Sequence, residues 1–503
     1  MRVNSLMLFV VTSTLFGSAS ADETAWLSGL SDRELAIQRW FSSLTYMQGH
    51  EAKPWTEWFD DGDQFGVTAL RYQFAFCGYG CAAMAAKTPA YRELIQQQLL
   101  DLCLRMIDRR TWPYVTAYWK YGENPPDPCK YENVMYTGHL TQLMSLYELM
   151  TGDMRFSDAG WDFTWEDGRS IHYRLEDAIR GLHDQSMASA SGGICCEPGL
   201  IFADCNSHSA SSFVVFDVVH GASYSGCNQR WFDWMNVHFR NKVPFTPDFL
   251  YVIYDTKKDF FYPAGDIGAD CWALGFGYPW FPDKKLLEEG WKTLLKRSKW
   301  IESAENQCYA KNNTVVGCCG GSTLGMANSF VPLVGVQAEG KDCKKAQQVL
   351  NWLETTYGRE LDTDGDGFTE SYAYVVCPKH RIPATGVIAT ALATDGDSMR
   401  QLYRTSRKPI LSEPALAHVD YPNVMVRAAE YHAPVLRFVI RKENPVFSGT
   451  TEFRCTQIPG TASVSRDGAP WSSFSQTGPE LTITSDVDVE HIFEIRIDPP
   501  SAG

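Results

Sequence analysis

Two stretches of the chain concentrate side chains that can carry protons. The first is Tyr131–His139, which leads into an apolar run that ends at Gly152. Apolar residues at positions 140, 143, 144, 146, 147, 149 and 150 have the spacing of a mostly buried helix. His139 therefore opens a buried helix, with Met135 and Tyr136 able to share its face. A histidine there either completes the core through a hydrogen bond or exchanges protons near neutral pH.

The second stretch, residues 192–206, includes two thiols nine residues apart at Cys196 and Cys205, a carboxylate at Glu197 and an amide at Asn206. Its two glycines and its proline predict a shaped loop instead of a helix, and loops often carry functional sites. The thiols could be joined as a disulfide that pins this loop. They could equally be free proton carriers that face His139. The residues alone leave both interpretations open.

Composition and charge narrow the class of protein. The 503 residues are 44% hydrophobic and 21% charged, as in an ordinary folded protein with a large core. A net charge of -15 argues against nucleic acid or an anionic membrane as a partner. The cysteine spacings match no metal site, and neither a glycine-rich phosphate loop nor a DDxxD-type acidic run is present. We therefore expect no metal, no organic cofactor and no ionisation of a prenyl diphosphate.

The elements that position these residues are mainly helices. From Asp22 to about Glu430, helical patterns alternate with loops rich in Gly, Pro and Asp, and strong period-two alternation is missing. This pattern favours a toroid of helical hairpins, with the site where loops at one end converge. After Asn444 the pattern alternates instead, as in Leu481–Asp498. We expect a helical domain over residues 22–440 and a β-rich extension over residues 441–503.

Further segments bear on the compartment and on ions. Residues 1–21 combine a positive start, an apolar run and the sequence Ala-Ser-Ala, which predicts a secretory signal peptide. Together with the sequon at Asn312, this indicates the secretory pathway or secretion, and no later run is long enough to span a membrane. Fifteen cysteines then raise the possibility of disulfides. Asp362–Gly367 resembles the start of a calcium loop, but Ala373 stands at its twelfth position, so a plain turn is favoured.

Several motifs in a fixed order resemble the bacterial linalool dehydratase-isomerase family. They are Arg71–Gly80, Asn133–His139, Cys-Glu-Pro at 196–198, Cys-Asn at 205–206 and Val219–Tyr224. The resemblance is continuous from about Ala69 to Tyr224 and fainter to about Arg437. It implies an (α/α)6 barrel whose cavity holds a monoterpene alcohol and works by acid–base chemistry without a cofactor.

The resemblance also assigns site residues. It implies catalytic roles for His139, Cys196, Cys205 and Tyr72, and it favours free thiols. The expected substrate-binding residues are Met135, Tyr136, Glu197, Asn206, Asp266 and Trp272. Two departures put the linalool reaction itself in doubt. The family's N-terminal aspartate falls near Thr45 without a clear counterpart, and a family tyrosine falls on Gly268, beside Asp266, Asp270 and Trp272.

An imidazole, two thiols and a phenol can protonate an alkene or a hydroxyl and then recover a proton. The terminal extensions, extra cysteines and sequon look more like the family's fungal branch, which implies a prenylcyclase that closes an oxygen ring on a prenylated phenol. The alternative is dehydration and isomerisation of a terpene alcohol. An (α/α)6 glycosidase using Glu197 with Asp204 or Asp266 remains open, as does a binding protein that does not depend on His139. A homo-oligomer is expected by analogy.

Overall fold

Helices form the larger part of the chain and strands form its C-terminal part. The structure is a computed structural model that describes residues 26, 28–45, 69–115, 127–243, 246–263, 267–311, 324–362, 367, 369–376 and 382–498. Within these residues helices predominate up to Leu411, and strands predominate from Ala415 onward. A mainly helical chain with a β-rich C-terminal region is therefore confirmed.

The longer helices are α1 (Asp32–Thr45), α2 (Leu70–Ala85), α3 (Glu93–Ile107), α4 (Val134–Thr151), α5 (Leu175–Ala188), α6 (Ala203–His220), α7 (Asn228–His238), α8 (Ile267–Gly275), α9 (Lys285–Arg297), α10 (Leu324–Ser329), α11 (Val331–Glu339), α12 (Lys344–Tyr357), α13 (Ile382–Ala393) and α14 (Ser398–Arg404). Single helical turns occur at Arg155–Asp158 and Lys408–Leu411. No helix within the described residues combines the length and apolar character needed to cross a membrane.

Six helices of the described part contact one another in a cyclic order. Helix α2 packs on α4, α4 on α6, α6 on α8, α8 on α11, α11 on α13, and α13 returns to α2. Every residue of α2 is buried, and so are residues 134–150 of α4. Helices that are buried all round belong inside a large protein, whereas α3, α5, α9 and α12 bury only one face and cover the outside.

Helices α2 and α13 approach closely because glycines lie at their contact. A Cβ atom added to Gly386 of α13 would lie 2.4 Å from the carbonyl carbon of Phe76 on α2. A Cβ atom added to Gly80 of α2 would lie 3.0 Å from the carbonyl oxygen of Gly386. Side chains at these positions would push the helices apart, so the glycines fix the place of α2 in the helical part.

Short antiparallel sheets connect the helices. Strands β1 (Trp161–Thr164) and β2 (Ser170–Tyr173) form a hairpin, as do β7 (Trp300–Ala304) with β8 (Gln307–Ala310) and β9 (Gly358–Leu361) with β10 (Ser371–Tyr374). A four-stranded sheet joins β3 (Cys195–Glu197), β4 (Leu200–Phe202), β5 (Tyr251–Asp255) and β6 (Phe260–Pro263) in sequence order. Among the described strands none of these pairs is parallel.

Two antiparallel sheets make up the C-terminal region. Its strands are β11 (Ala415–His418), β12 (Val424–His432), β13 (Val435–Lys442), β14 (Thr450–Thr456), β15 (Thr461–Arg466), β16 (Ala469–Trp471), β17 (Phe474–Thr477), β18 (Glu480–Asp486) and β19 (His491–Asp498). They pair in the orders β11-β14-β18-β17 and β12-β13-β19-β15-β16. The rings of Phe438, Phe453 and Phe493 meet between the two sheets.

The change from helices to strands lies earlier than the change expected near Asn444. Strands β11 and β12 precede Asn444. The sequence did not indicate β12, because most of this strand is buried on both faces and its residues therefore do not alternate between apolar and polar. The region also binds the helical part through backbone hydrogen bonds, from Leu30 N–H to Arg427 O at 2.7 Å and from Ala90 N–H to Ala429 O at 3.0 Å.

Several expectations fall on residues that the structure does not describe. These are residues 1–21, Asn312, Asp266 and the side chain of Thr45, together with two of the three aspartates of the calcium-like loop. The third, Asp362, accepts a hydrogen bond from Gly367 N–H at 3.0 Å, as in an ordinary turn. The twelve described cysteines form no disulfide with one another.

Candidate active site

His139 lies on α4 and is fully buried among aromatic rings. Its ring centroid lies 5.1 Å from that of Tyr72, 5.7 Å from that of Phe76 and 6.2 Å from that of Trp272. Tyr72 and Phe76 come from α2, and Trp272 comes from α8. Helices α2 and α8 therefore contribute the rings of one aromatic enclosure around the imidazole on α4.

One nitrogen of His139 is paired and the other is not. Nδ1 forms a hydrogen bond with Tyr79 Oη at 2.9 Å. Nε2 is buried without a hydrogen-bond partner among the described residues. Buried polar atoms are nearly always paired, so an unpaired imidazole nitrogen in an aromatic enclosure is a position where a ligand would supply the partner. For Nε2 to accept a proton, Nδ1 must carry the ring hydrogen and donate it to Tyr79 Oη.

The two thiols of the second sequence motif meet next to Tyr72. Cys196 Sγ lies 3.1 Å from Cys205 Sγ, well beyond the ~2.05 Å of a disulfide. Tyr72 Oη lies 3.9 Å from Cys205 Sγ. The expected loop over residues 192–206 is only partly correct, because Cys196 lies on β3 while Cys205 lies in the first turn of α6. Tyr72 thus contacts both the thiol pair and His139.

Burial shifts the pKa values of these groups in opposite directions. It lowers the pKa of His139 well below its usual value, and His208 and Arg71 lower it further. It raises the pKa of the Cys196 thiol, and it raises those of Cys205 and Tyr72 well above their usual values. At neutral pH the imidazole is therefore an uncharged base, and the thiols and the phenol keep their protons.

His208 is a site residue that the sequence analysis missed. It lies on α6 three residues after Cys205, and its ring centroid lies 3.7 Å from that of His139. Trp272 Nε1 donates to His208 Nε2 at 2.6 Å, and His208 Nδ1 donates to Gln142 Oε1 at 2.6 Å. These bonds fix one neutral tautomer. The helical spacing from Cys205 is the signal that would have placed it on the same face.

Arg71 was predicted only as part of a motif. In the structure its buried positive charge acts on several of the site groups, including His139 and Cys196. Its guanidinium lies 4.6 Å from the ring centroids of both Tyr72 and Tyr114. Its Nη2 also lies 3.3 Å from Met135 Sδ, so Met135 adjoins the site as expected. The charge of Arg71 lowers the pKa of Cys196 and of Glu197 against the stronger opposing effect of burial.

Two of the expected substrate-binding residues have hydrogen-bond partners within the protein. Tyr136 Oη donates to the carbonyl oxygen of Met106 at 2.7 Å, so its hydroxyl joins α4 to α3. Asn206 Oδ1 accepts from Ile194 N–H at 2.8 Å, and its amide donates to Ile194 O and Phe202 O. Asn206 therefore holds β3 against α6. Each of these residues lies on a helix with more than one buried face, so its side chain can face a neighbouring element of the protein.

The remaining expected residues are placed as follows. Trp272 belongs to the aromatic wall, where it stacks on Phe330 with ring centroids 5.3 Å apart. Glu197 is half-buried, and burial raises its pKa. Asp204 is buried beside Cys205, and its charge, like that of Glu197, raises the pKa of the same thiol, Cys196. Both carboxyls therefore lie near the Cys196 thiol.

An outer cavity of about 520 Å³ lies across β3 from the thiol pair. Cys195 borders this cavity, whereas the Cys196 thiol faces Cys205 in the buried site. The aromatic and acidic residues around it include Tyr131, Glu132, Trp234 and Tyr254. A solvent-accessible cavity therefore lies directly outside the part of the site wall that β3 forms.

Comparison with known proteins adds a family and distant structural similarity. The model of a family described as linalool dehydratase/isomerase matches residues 71–373. The chain is also similar to an α-1,6-mannanase of Salegentibacter sp. HEL1_6, with 11% identity, a TM-score of 0.41 and coverage of 74% of this chain and 100% of that one. For an unsaturated glucuronyl hydrolase specific for heparin, the values are 13%, 0.39, 64% and 84%. A sugar epimerase from a ruminal bacterium gives 12%, 0.38, 74% and 97%. The scores of all three structures are too low to support an argument about substrate.

Proposed function

Because the chain belongs to the linalool dehydratase/isomerase family, we propose that it is an acid–base enzyme that closes an oxygen ring on a prenylated phenol. Enzymes of this family are of the lyase and isomerase type. The observation that carries the proposal is the unpaired, buried Nε2 of His139 inside an aromatic enclosure. A neutral base in a site lined by rings suits a hydrophobic substrate that reacts through a cation.

The proposed reaction transfers one proton to the substrate and takes one back. An acid on the side of Cys196, Cys205 and Tyr72 protonates the prenyl double bond, and the phenol oxygen bonds to the tertiary cation. Nε2 of His139 then takes the phenol proton. The aromatic faces of Tyr72, Phe76 and Trp272 attract the cation and exclude water, which would otherwise trap it as an alcohol. The substrate and the product have the same composition, so the reaction needs no cofactor.

Dehydration and isomerisation of a terpene alcohol is the second candidate, and the description of the matching family favours it. The same acid would then protonate a hydroxyl group, water would leave, and His139 would take a proton from the carbon skeleton. Gly268 stands where the family resemblance expects a tyrosine. That missing hydroxyl is the reason we place cyclisation first.

The wider proposal covers architecture and context. We propose an (α/α)6 barrel, supported by the cyclic contacts of α2, α4, α6, α8, α11 and α13. The signal-like residues 1–21 and the sequon at Asn312 support a secretory location. Extra cysteines and terminal extensions support the fungal prenylcyclase branch, with a role in meroterpenoid biosynthesis. A homo-oligomer is proposed by analogy with the family.

A direct substrate comparison tests the proposed function. The purified protein is incubated separately with a prenylated phenol, with linalool and with an α-1,6-linked mannan, and the products are separated by chromatography and identified by mass spectrometry. We expect an isomer of the phenol with unchanged mass, and no product from the His139→Gln variant. Loss of water from linalool would support the second candidate. Release of sugar from the mannan by the wild-type protein, with no product from the phenol or from linalool, would contradict both candidate functions.

A further inference from the structure

Asp204 is a buried carboxyl group that neither candidate reaction has so far used. It lies in the first turn of α6 with 2% exposure. Its Oδ1 accepts the backbone N–H of Cys205 at 2.6 Å. No basic side chain of the described part forms an ion pair with it. A carboxylate in such a place lacks the partners that would pay for its burial.

The groups that surround Asp204 are those of the proposed acid side of the site. The Cys205 thiol comes from its own helix, Cys196 comes from β3, and Tyr72 comes from α2. The charge of Asp204 acts on Cys196, Cys205 and Tyr72. Of these, the neighbouring Cys205 thiol lies 3.1 Å from Cys196 Sγ and 3.9 Å from Tyr72 Oη. Cys205 is therefore the direct connection between Asp204 and the other proton carriers.

Burial raises the pKa of Asp204 to about 7, and the N–H and thiol of Cys205 lower it in turn. The surrounding thiols and phenol titrate well above neutrality, and His139 titrates well below it. A group that both holds and releases a proton near the working pH is the most effective general acid. Within this cluster, Asp204 meets that requirement.

We propose that Asp204 is the proton reservoir of the site and passes its proton to the Cys205 thiol as that thiol protonates the substrate. The inference rests on the proposed function. The Asp204 O–H bond breaks as its proton binds the Cys205 sulfur, and the former Cys205 proton forms the new C–H bond. His139 Nε2 takes the phenol proton, which returns to Asp204 before the next turnover. Because Asp204 acts through Cys205, it is a positioning residue and does not touch the substrate.

The variant Asp204→Asn tests this role, because it keeps the shape and the Oδ1 acceptor but cannot donate an acidic proton. In the wild-type enzyme kcat should fall as pH rises through about 7, since the carboxyl must be protonated. In Asp204→Asn, kcat should fall about 100-fold with little change in KM, and the remaining activity should not show this fall. The matched control is Glu148→Gln, which alters a buried carboxyl on α4 that is bonded to Ser157 and His220. Its pH profile should match that of the wild type.

A titration without substrate separates this inference from the proposed function. Infrared spectra of the wild type and of Glu148→Gln should show a carboxylic acid band that disappears with a midpoint near pH 7, and Asp204→Asn should lack that band. A folded Asp204→Asn enzyme with unchanged kcat and pH profile would overturn the inference. If this variant does not fold, absence of the band from the wild type would overturn it. A band that titrates as expected, without turnover of any isoprenoid, would contradict the proposed function alone.

Discussion

His139 and the two thiols share one buried site, and burial separates them into a base and groups that keep their protons. If His139 takes a proton in the rate-limiting step, His139→Ala and His139→Gln should each reduce turnover by about 10²–10⁴. Glutamine can fill the space and accept hydrogen bonds, but it does not titrate. A histidine with only a structural role predicts a different pattern, in which alanine lowers the melting temperature and glutamine leaves turnover almost normal. Measurement of turnover and melting temperature for both variants distinguishes these outcomes.

The raised pKa of Asp204 also predicts how the stability of the folded protein depends on pH. A folded-state pKa of about 7, against an ordinary value of 3.8, means that the folded protein keeps a proton that the unfolded chain loses. Stability from this group is therefore present below about pH 4, falls as pH rises, and is lost above about pH 7. The total is on the order of 4 kcal/mol.

The Asp204→Asn variant should therefore gain stability relative to the wild type as pH is raised from about 4 to about 8. Urea unfolding at both pH values measures this difference, and Glu148→Gln serves as the control. An unchanged difference between Asp204→Asn and the wild type would show that the carboxyl titrates normally in the folded protein.

The thiol pair should be reduced in active protein, because a disulfide removes both protons from the site. The separation of 3.1 Å means that oxidation requires little movement, so an oxidant should inactivate the enzyme and a reductant should restore it. Alkylation after unfolding without reductant, followed by peptide mass mapping, should label both Cys196 and Cys205. A bridge between them in fully active protein would contradict their proposed role.

The sequence predicted which residues meet in the site better than it predicted the hydrogen-bond partners of the residues around the site. Tyr72, His139, Cys196 and Cys205 were expected together, and the structure brings them together. The partners of Tyr136 and Asn206 could not be inferred, because helical spacing shows which residues share a face but not which neighbour that face meets. His208 was not predicted, because the motif at Cys205 was interpreted as ending at Asn206.

Amphipathic helices were the easiest elements to predict. The spacing of apolar residues predicts helices over Lys344–Tyr357 and Lys284–Lys299. The first agrees with α12, and the second differs from α9 only at its ends. The same spacing predicts helices that begin at His139 and Ser211, whereas α4 begins at Val134 and α6 at Ala203. The residues before the predicted starts are buried without a periodic apolar pattern. A helix expected over Ile171–Leu182 begins at Leu175 instead, because Ser170–Tyr173 pairs as β2.

The contact between α2 and α13 gives a prediction about an element. Gly386→Ala should lower the free energy of unfolding by about 1–3 kcal/mol, because the new methyl group would overlap the backbone of Phe76. The matched control is Gly181→Ala in α5, where no atom lies within 4 Å of the added Cβ. That change should stabilise the helix by about 0.5–1 kcal/mol. Urea unfolding of both variants measures the contrast, and a Gly386→Ala protein as stable as the wild type would contradict the described packing.

For the molecule as a whole, we expect turnover without an added metal. Both nitrogens of His208 and one nitrogen of His139 already have hydrogen-bond partners in the site. Treatment with a chelator, followed by metal analysis of the protein, should leave turnover of a prenylated phenol unchanged. Loss of turnover that one added metal restores would contradict this expectation.

The reaction in deuterium oxide tests the central claim most directly. If the enzyme protonates the prenyl double bond and His139 removes the phenol proton, the product formed in deuterium oxide should carry one deuterium on carbon, next to the new C–O bond. Its mass should exceed that of the substrate by one unit, and the His139→Gln variant should form little of it. A cyclic product without carbon-bound deuterium, or equal turnover by His139→Gln, would contradict proton-initiated cyclisation at this site.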